Sequence, residues 1–118
     1  MYKRQPVSLT TGVAISTGIA DTYGADTEVR AAVTATKPFR VIGFSIETST
    51  SEWYRVRFSA DSGSTFFTTV QLDSNKTAGS AAPSGTGFIF NKGTRISASA
   101  KDISGSDAVT VWLHIQEI

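Results

Sequence analysis

The chain has 118 residues, long enough to bury a core as one domain without covalent staples. It contains no cysteine, which excludes a disulfide framework, a thiolate zinc site and a cysteine nucleophile. Its formal net charge of +1 offers no general attraction to nucleic acid or to an anionic membrane.

Charged residues make up 18% of the chain, below the roughly 25% of an average soluble domain. Ser and Thr take their place, a surface that suits a protein packed against neighbours and equally a secreted β-domain. Residues 1–27 read as an N-terminal arm with the first short strand or strands, and residues 28–118 as the core of a single domain. Lys3 and Arg4 make the start basic, but no apolar run of signal-peptide length follows. No segment approaches the ~18 continuous apolar residues that cross a bilayer. The expectation is synthesis in a cytoplasm.

Residues 2–9 are expected as an extended arm or first strand, and Pro6 disfavours a central place in a sheet. A short strand is expected at Val13, Ala14 and Ile15, and residues 21–26 read as loop. Residues 28–35 alternate Val29, Ala31 and Val33 against Arg30, Ala32 and Thr34, which predicts a strand ended by Pro38. The strand predicted over 39–48 places Ile42, Phe44 and Ile46 inward, and Gly43 marks a bulge or a close backbone approach. Residues 48–51 read as a polar turn. Residues 53–60 then present Tyr54, Val56 and Phe58 to one side and Trp53, Arg55, Arg57 and Ser59 to the other.

Asp61, Ser62, Gly63 and Ser64 have hairpin composition. The returning strand, 65–72, is expected to turn Phe66, Thr68, Val70 and Leu72 to one side. Residues 73–86 are rich in breakers, and a loop of that length is usually functional or mobile. A short strand follows at 87–91 with Phe88 and Phe90 together, then a tight turn at Lys92 and Gly93. Residues 94–101 put Ile96, Ala98 and Ala100 inward. The last run puts Val109, Val111, Leu113 and Ile115 on one face and Thr110, Trp112, His114 and Gln116 on the other. Its apolar end at Ile118 suggests a strand internal to a sheet. About eight strands with regular turn signals predict an all-β antiparallel sandwich, jelly-roll-like.

No catalytic constellation stands out. His114 is the single histidine and has no evident partner for a triad or a metal site. The acids are scattered, and none falls in an aromatic pocket motif of the kind that glycoside hydrolysis uses. The loops 102–107 and 21–26 carry oxygens suited to calcium but lack the EF-hand spacing, so turn capping by Asp is the favoured reading. Lys92, Gly93 and Thr94 lack the glycine spacing and the helix of a phosphate loop. The expectation is a non-enzyme with no cofactor and no metal.

The outward aromatics and cations carry more weight. Trp53, Arg55, Arg57, Phe67, Trp112 and His114 fall on faces expected to point away from the core, and Trp and Arg are enriched at interfaces. They read as a subunit interface, as residues covered by another layer, or as a stacking platform for a ligand. The basic arm with Tyr2, Lys3 and Arg4 is a candidate to reach a neighbour, the alternative being an unstructured end.

In the segments 39–44, 54–59, 92–98 and 109–114 the chain resembles the small jelly-roll proteins of tailed-bacteriophage virions. The likeness covers roughly residues 28–118 and is one of style, without a signature motif. It implies a capsid decoration (cement) protein, a dimer or trimer that binds the major capsid protein or other virion proteins and stabilises the outer shell. The arm and the Trp112/His114 face would then make contacts. The rival expectation is a receptor- or carbohydrate-binding module of a phage tail or fibre, with Tyr23, Trp53 and Trp112 stacking on a glycan. A fibre tip ordinarily follows a shaft sequence, and a chain beginning at Met1 favours the decoration protein. Neither nucleic acid nor membrane is expected as a partner.

Overall fold

The computed structural model describes residues 7–48, 50, 52–72, 77–78 and 87–118. Ten strands run through them: β1 (Val7–Leu9), β2 (Val13–Ser16), β3 (Thr27–Arg30), β4 (Phe39–Thr48), β5 (Tyr54–Ser59), β6 (Thr68–Leu72), β7 (Thr77–Ala78), β8 (Phe88–Phe90), β9 (Ile96–Asp102) and β10 (Ala108–Glu117). All strand pairs are antiparallel. The basic arm with Tyr2, Lys3 and Arg4 and most of the 73–86 loop lie outside the described residues.

The strands form two sheets. One has the order β1-β10-β4-β7, with β2 also on β10 and β8 also on β4; the other has the order β3-β9-β5-β6. β1 pairs with residues 114–116 of β10 and β2 with residues 108–111, so the two lie end to end on one lane. β7 and β8 likewise share the far side of β4. Eight lanes result. The first neighbours the eighth, the eighth the third and the third the sixth; the second neighbours the seventh, the seventh the fourth and the fourth the fifth. That order is a jelly roll, the expected fold class. β10 is internal to its sheet, between β1 and β4.

The core lies between the sheets. Alternation buries Tyr54, Val56 and Phe58 from β5, Ile96, Ala98 and Ala100 from β9, and Val109, Val111, Leu113 and Ile115 from β10. Phe44 of the six-stranded sheet stacks on Phe58 of the other, with ring centroids 4.2 Å apart and planes at 26°. Such a pair adds roughly 0.5–1.5 kcal/mol beyond its buried area.

Three elements depart from strict alternation. In β4, His114 pairs with Gly43 and Ile115 with Val41, so Ile42 has no partner and forms a bulge. The extra residue changes the strand's parity: Phe39 and Val41 are buried before it, Phe44 and Ile46 after it. Ile42, expected inward, is half-buried and stands outside the core cluster, while Gly43 does mark the bulge. At the start of β6, Thr68 pairs with Phe58, yet the Phe67 N–H also donates to the Phe58 carbonyl at 2.9 Å. Two residues thus oppose one. Phe67 turns inward against Phe58, Phe88 and Phe90, reversing the expected sides of Phe66 and Phe67. The strand expected over 28–35 stops at Arg30, and Ala32–Thr34 form a single 3-10 turn that leaves Val33 exposed. Three β-branched or small residues fit a turn as well as a strand, and the β3–β9 register already shifts after Glu28.

Candidate functional site

The outer face of the four-stranded sheet interleaves aromatic rings with cations. Arg55 and Arg57 come from the outward side of β5, Lys101 from β9, Trp53 from the residue before β5, and Phe66 from the β5–β6 hairpin. Tyr23 arrives from the β2–β3 connection, which hydrogen bonds hold against β9: Gly24 N–H to Ala100 O at 2.9 Å and Asp21 N–H to Asp102 O at 2.8 Å.

The Arg57 guanidinium lies 3.7 Å from the Tyr23 ring centroid and 4.0 Å from that of Phe66. Its Nε donates to Ser99 Oγ at 2.8 Å, which fixes its direction. Arg55 lies 4.9 Å from the Trp53 ring and donates to Gln71 Oε1 at 3.1 Å. The Lys101 ammonium is 5.2 Å from Tyr23 and 5.8 Å from Trp53, and 3.5 Å from Asp21 Oδ1. Arg55 and Lys101 pair directly across β5 and β9, where like charges repel. The ring quadrupoles and Asp21 offset that repulsion, each exposed cation–π contact contributing roughly 0.5–1 kcal/mol. The result is a held, positively charged aromatic layer.

Trp112 and His114 sit on the other sheet, on its outward side, so the outward residues divide between opposite faces of the sandwich. The indole of Trp112 lies against the backbone of Gly12, where a Cβ would come within 2.7 Å of the ring. A side chain there would force the indole to shift. His114 Nε2 and Ser45 Oγ are hydrogen-bonded at 2.7 Å. Phe67 belongs to neither outer face. Sequence reading found Trp53, Arg55 and Arg57 but missed Phe66 and Lys101. Phe66 is hidden by the irregular start of β6, and Lys101 would have been found by extending the β9 alternation to its outward side.

A second cluster forms at one end of the sandwich, where Glu52 before β5 meets Asp102 at the end of β9 and Asp107 before β10. One carboxylate oxygen from each lies within 4.8 Å of the other two. The antiparallel pairing of Tyr54 with Asp102 creates the meeting, which sequence separation hides. Asp102 is fully buried, and its Oδ1 accepts the Gly105 N–H at 2.8 Å, the turn capping expected of that loop. Burial, with the adjacent Asp107 and Glu52 carboxylates, pushes Asp102 up to about 6. Glu52 is held below its ordinary range, chiefly by the Ser104 N–H at 3.0 Å and also by the Ser104 and Thr50 hydroxyls. The acids of the 21–26 loop have other partners: Asp21 meets Lys101, and Asp26 meets Arg95.

No family model and no curated protein matches this chain. Among solved structures it is similar to a chain from work on Bacillus endospore appendages that form a family of disulfide-linked pili. The two share 12% identity at a TM-score of 0.45, covering 98% of this chain and 92% of that one. A likeness that low carries no argument about function. Among the described residues no helix is long and apolar enough to cross a membrane.

Proposed function

We propose that this chain is a non-enzymatic virion protein of the capsid-decoration type, made in the host cytoplasm, whose cation–aromatic layer docks on a capsid surface. The observation that carries the reading is the Tyr23/Arg57/Phe66 stack with its flanking Trp53, Arg55 and Lys101. Arg and aromatic side chains dominate interface energetics, the aromatics burying large area at small entropic cost. Ordered in advance by Ser99 and Gln71, these cations lose less freedom on docking than free surface side chains do. Their charge favours an acidic partner surface.

The mechanism is mass action. A protein that binds only the mature lattice stabilises it by the free energy of binding, multiplied over many copies on each shell. A dimer or trimer presents two or three such layers and gains avidity. Jelly rolls also serve as lectins, so fold alone does not choose. The π faces bear on that choice. Tyr23, Trp53 and Phe66 already carry guanidinium or ammonium groups, which compete with sugar stacking and favour a protein partner over a glycan.

The test is the mass of the purified chain in solution followed by co-sedimentation with mature phage capsids and with immature shells. Selective binding of a dimer or trimer to mature shells supports the proposal. Binding to bacterial surface glycans and to no shell would replace it with the receptor-binding reading.

A further inference from the structure

We propose that Glu52, Asp102 and Asp107 form a calcium site that ties the β4–β5 loop to the β9–β10 loop. Three carboxylates converge, and one oxygen from each lies within 4.8 Å of the others. Calcium binds oxygens at about 2.3–2.6 Å, so two ligands on one ion stand at most about 5 Å apart. The cluster has that span.

The buried member points to a ligand independently of the cluster. Asp102 is fully buried, its Oδ1 is occupied by the Gly105 N–H, and its Oδ2 is buried without a hydrogen-bond partner. A carboxylate oxygen in that position is costly unless a cation or a proton meets it. Among the described residues no Lys, Arg or His forms an ion pair with any of the three acids. Among the described residues the three carboxylates thus face one another without a cation, which adds to burial in raising the proton affinity of Asp102.

The donor set selects the ion class. It is all oxygen, with no sulfur and no imidazole, which favours a hard cation over zinc or copper. Two of the ligands sit in loops and the third at the end of β9, an irregular set that suits the flexible coordination of calcium better than the octahedron that magnesium demands. Ser104 supplies a further oxygen, since its hydroxyl already reaches Glu52 at 2.9 Å and Asp107 at 2.8 Å. Neighbouring backbone extends the staple to the N-terminal segment: Thr17 N–H donates to Asp107 O at 2.9 Å, and Ser106 N–H to Gly18 O at 2.8 Å.

The experiment is calorimetric titration and thermal melting of the full chain, freed of metal with a chelator, against CaCl2 and MgCl2. Calcium is expected to bind one ion per chain and to raise the melting temperature by about 4 °C or more at saturation. Asp102→Asn keeps an acceptor for the Gly105 N–H and removes the buried charge. It is expected to melt no lower than the metal-free wild type and to lose the calcium shift. Glu52→Gln, at a less buried position, is expected to weaken calcium at least tenfold and serves if Asp102→Asn does not fold. A wild type without a calcium shift up to about 10 mM would overturn the site. So would variants that keep the full shift, and an equal response to magnesium would overturn the choice of calcium.

Discussion

The bulge in β4 makes a sharp prediction about which of two adjacent residues supports the core. Val41 is fully buried opposite Ile115, whereas Ile42 is half-buried and unpaired. Val41→Ala removes two buried methyl groups, a transfer loss of about 1.6 kcal/mol. The cavity left between Phe39 and Phe44 raises the expected cost to about 2–3 kcal/mol. Ile42→Ala removes more carbon but from a half-solvated position, and is expected to cost about 1 kcal/mol. Strict alternation from Phe44 would give the opposite order, with Ile42→Ala at about 2–5 kcal/mol and Val41→Ala within about 0.5 kcal/mol of neutral. Urea melts of the two variants and the wild type decide it. With a slope of about 1–3 kcal/mol/M, Val41→Ala is expected to lower the midpoint by about 0.7–3 M at unchanged slope. An Ile42→Ala midpoint lower than that of Val41→Ala would refute the bulge and the core drawn from it.

Phe58→Ala is expected to cost about 3–5 kcal/mol, because Phe58 is fully buried and stacked on Phe44 across the sheets. A loss under about 1 kcal/mol in the same melts would show that the sheets do not meet there. Gly87→Ala is expected to destabilise by at least about 1–3 kcal/mol, since Gly87 has φ +79° and its Cβ would stand 2.5 Å from the Val41 carbonyl. A neutral variant would mean that β8 is not seated against the bulge. The Thr65 hydroxyl and N–H, with the Ser59 hydroxyl, hold Asp61 down from 3.8 to about 2. The folded state thus gains from ionised Asp61 above pH 3.8 and loses that gain as pH falls through about 2. The stability difference between wild type and Asp61→Asn is therefore expected to be flat near neutral pH and to shrink in acid; a gap that widens in acid would contradict the hairpin cap.

What was legible in the sequence follows from where alternation is unbroken. β5, β9 and β10 each carry one side chain per register position, so their inward residues read directly from period two. The hairpin at Asp61–Ser64 and the turn at Lys92 and Gly93 read from turn chemistry. Parity was lost wherever two residues oppose one, at Ile42 and again at Phe67, because a bulge leaves no fixed sequence mark beyond a nearby glycine. The short turn at Ala32–Thr34 imitates a strand for want of length. The candidate sites depended on pairing between distant strands. Arg57 and Ser99, Tyr23 and Lys101, and Glu52 and Asp102 meet only once β9 is placed beside β5. Alternation identifies a strand's faces but not its neighbours.

The cation–aromatic layer as a docking surface is tested most directly by co-sedimentation of Arg57→Ala and Trp53→Ala with mature phage capsids, beside the wild type and Trp112→Ala. The two layer variants are expected to fold, to melt within a few degrees of the wild type, and to lose at least tenfold in affinity for the shell, while Trp112→Ala keeps it. Layer variants that bind as tightly as the wild type, or a Trp112→Ala protein that alone loses binding, would contradict the assignment and move the contact to the opposite sheet.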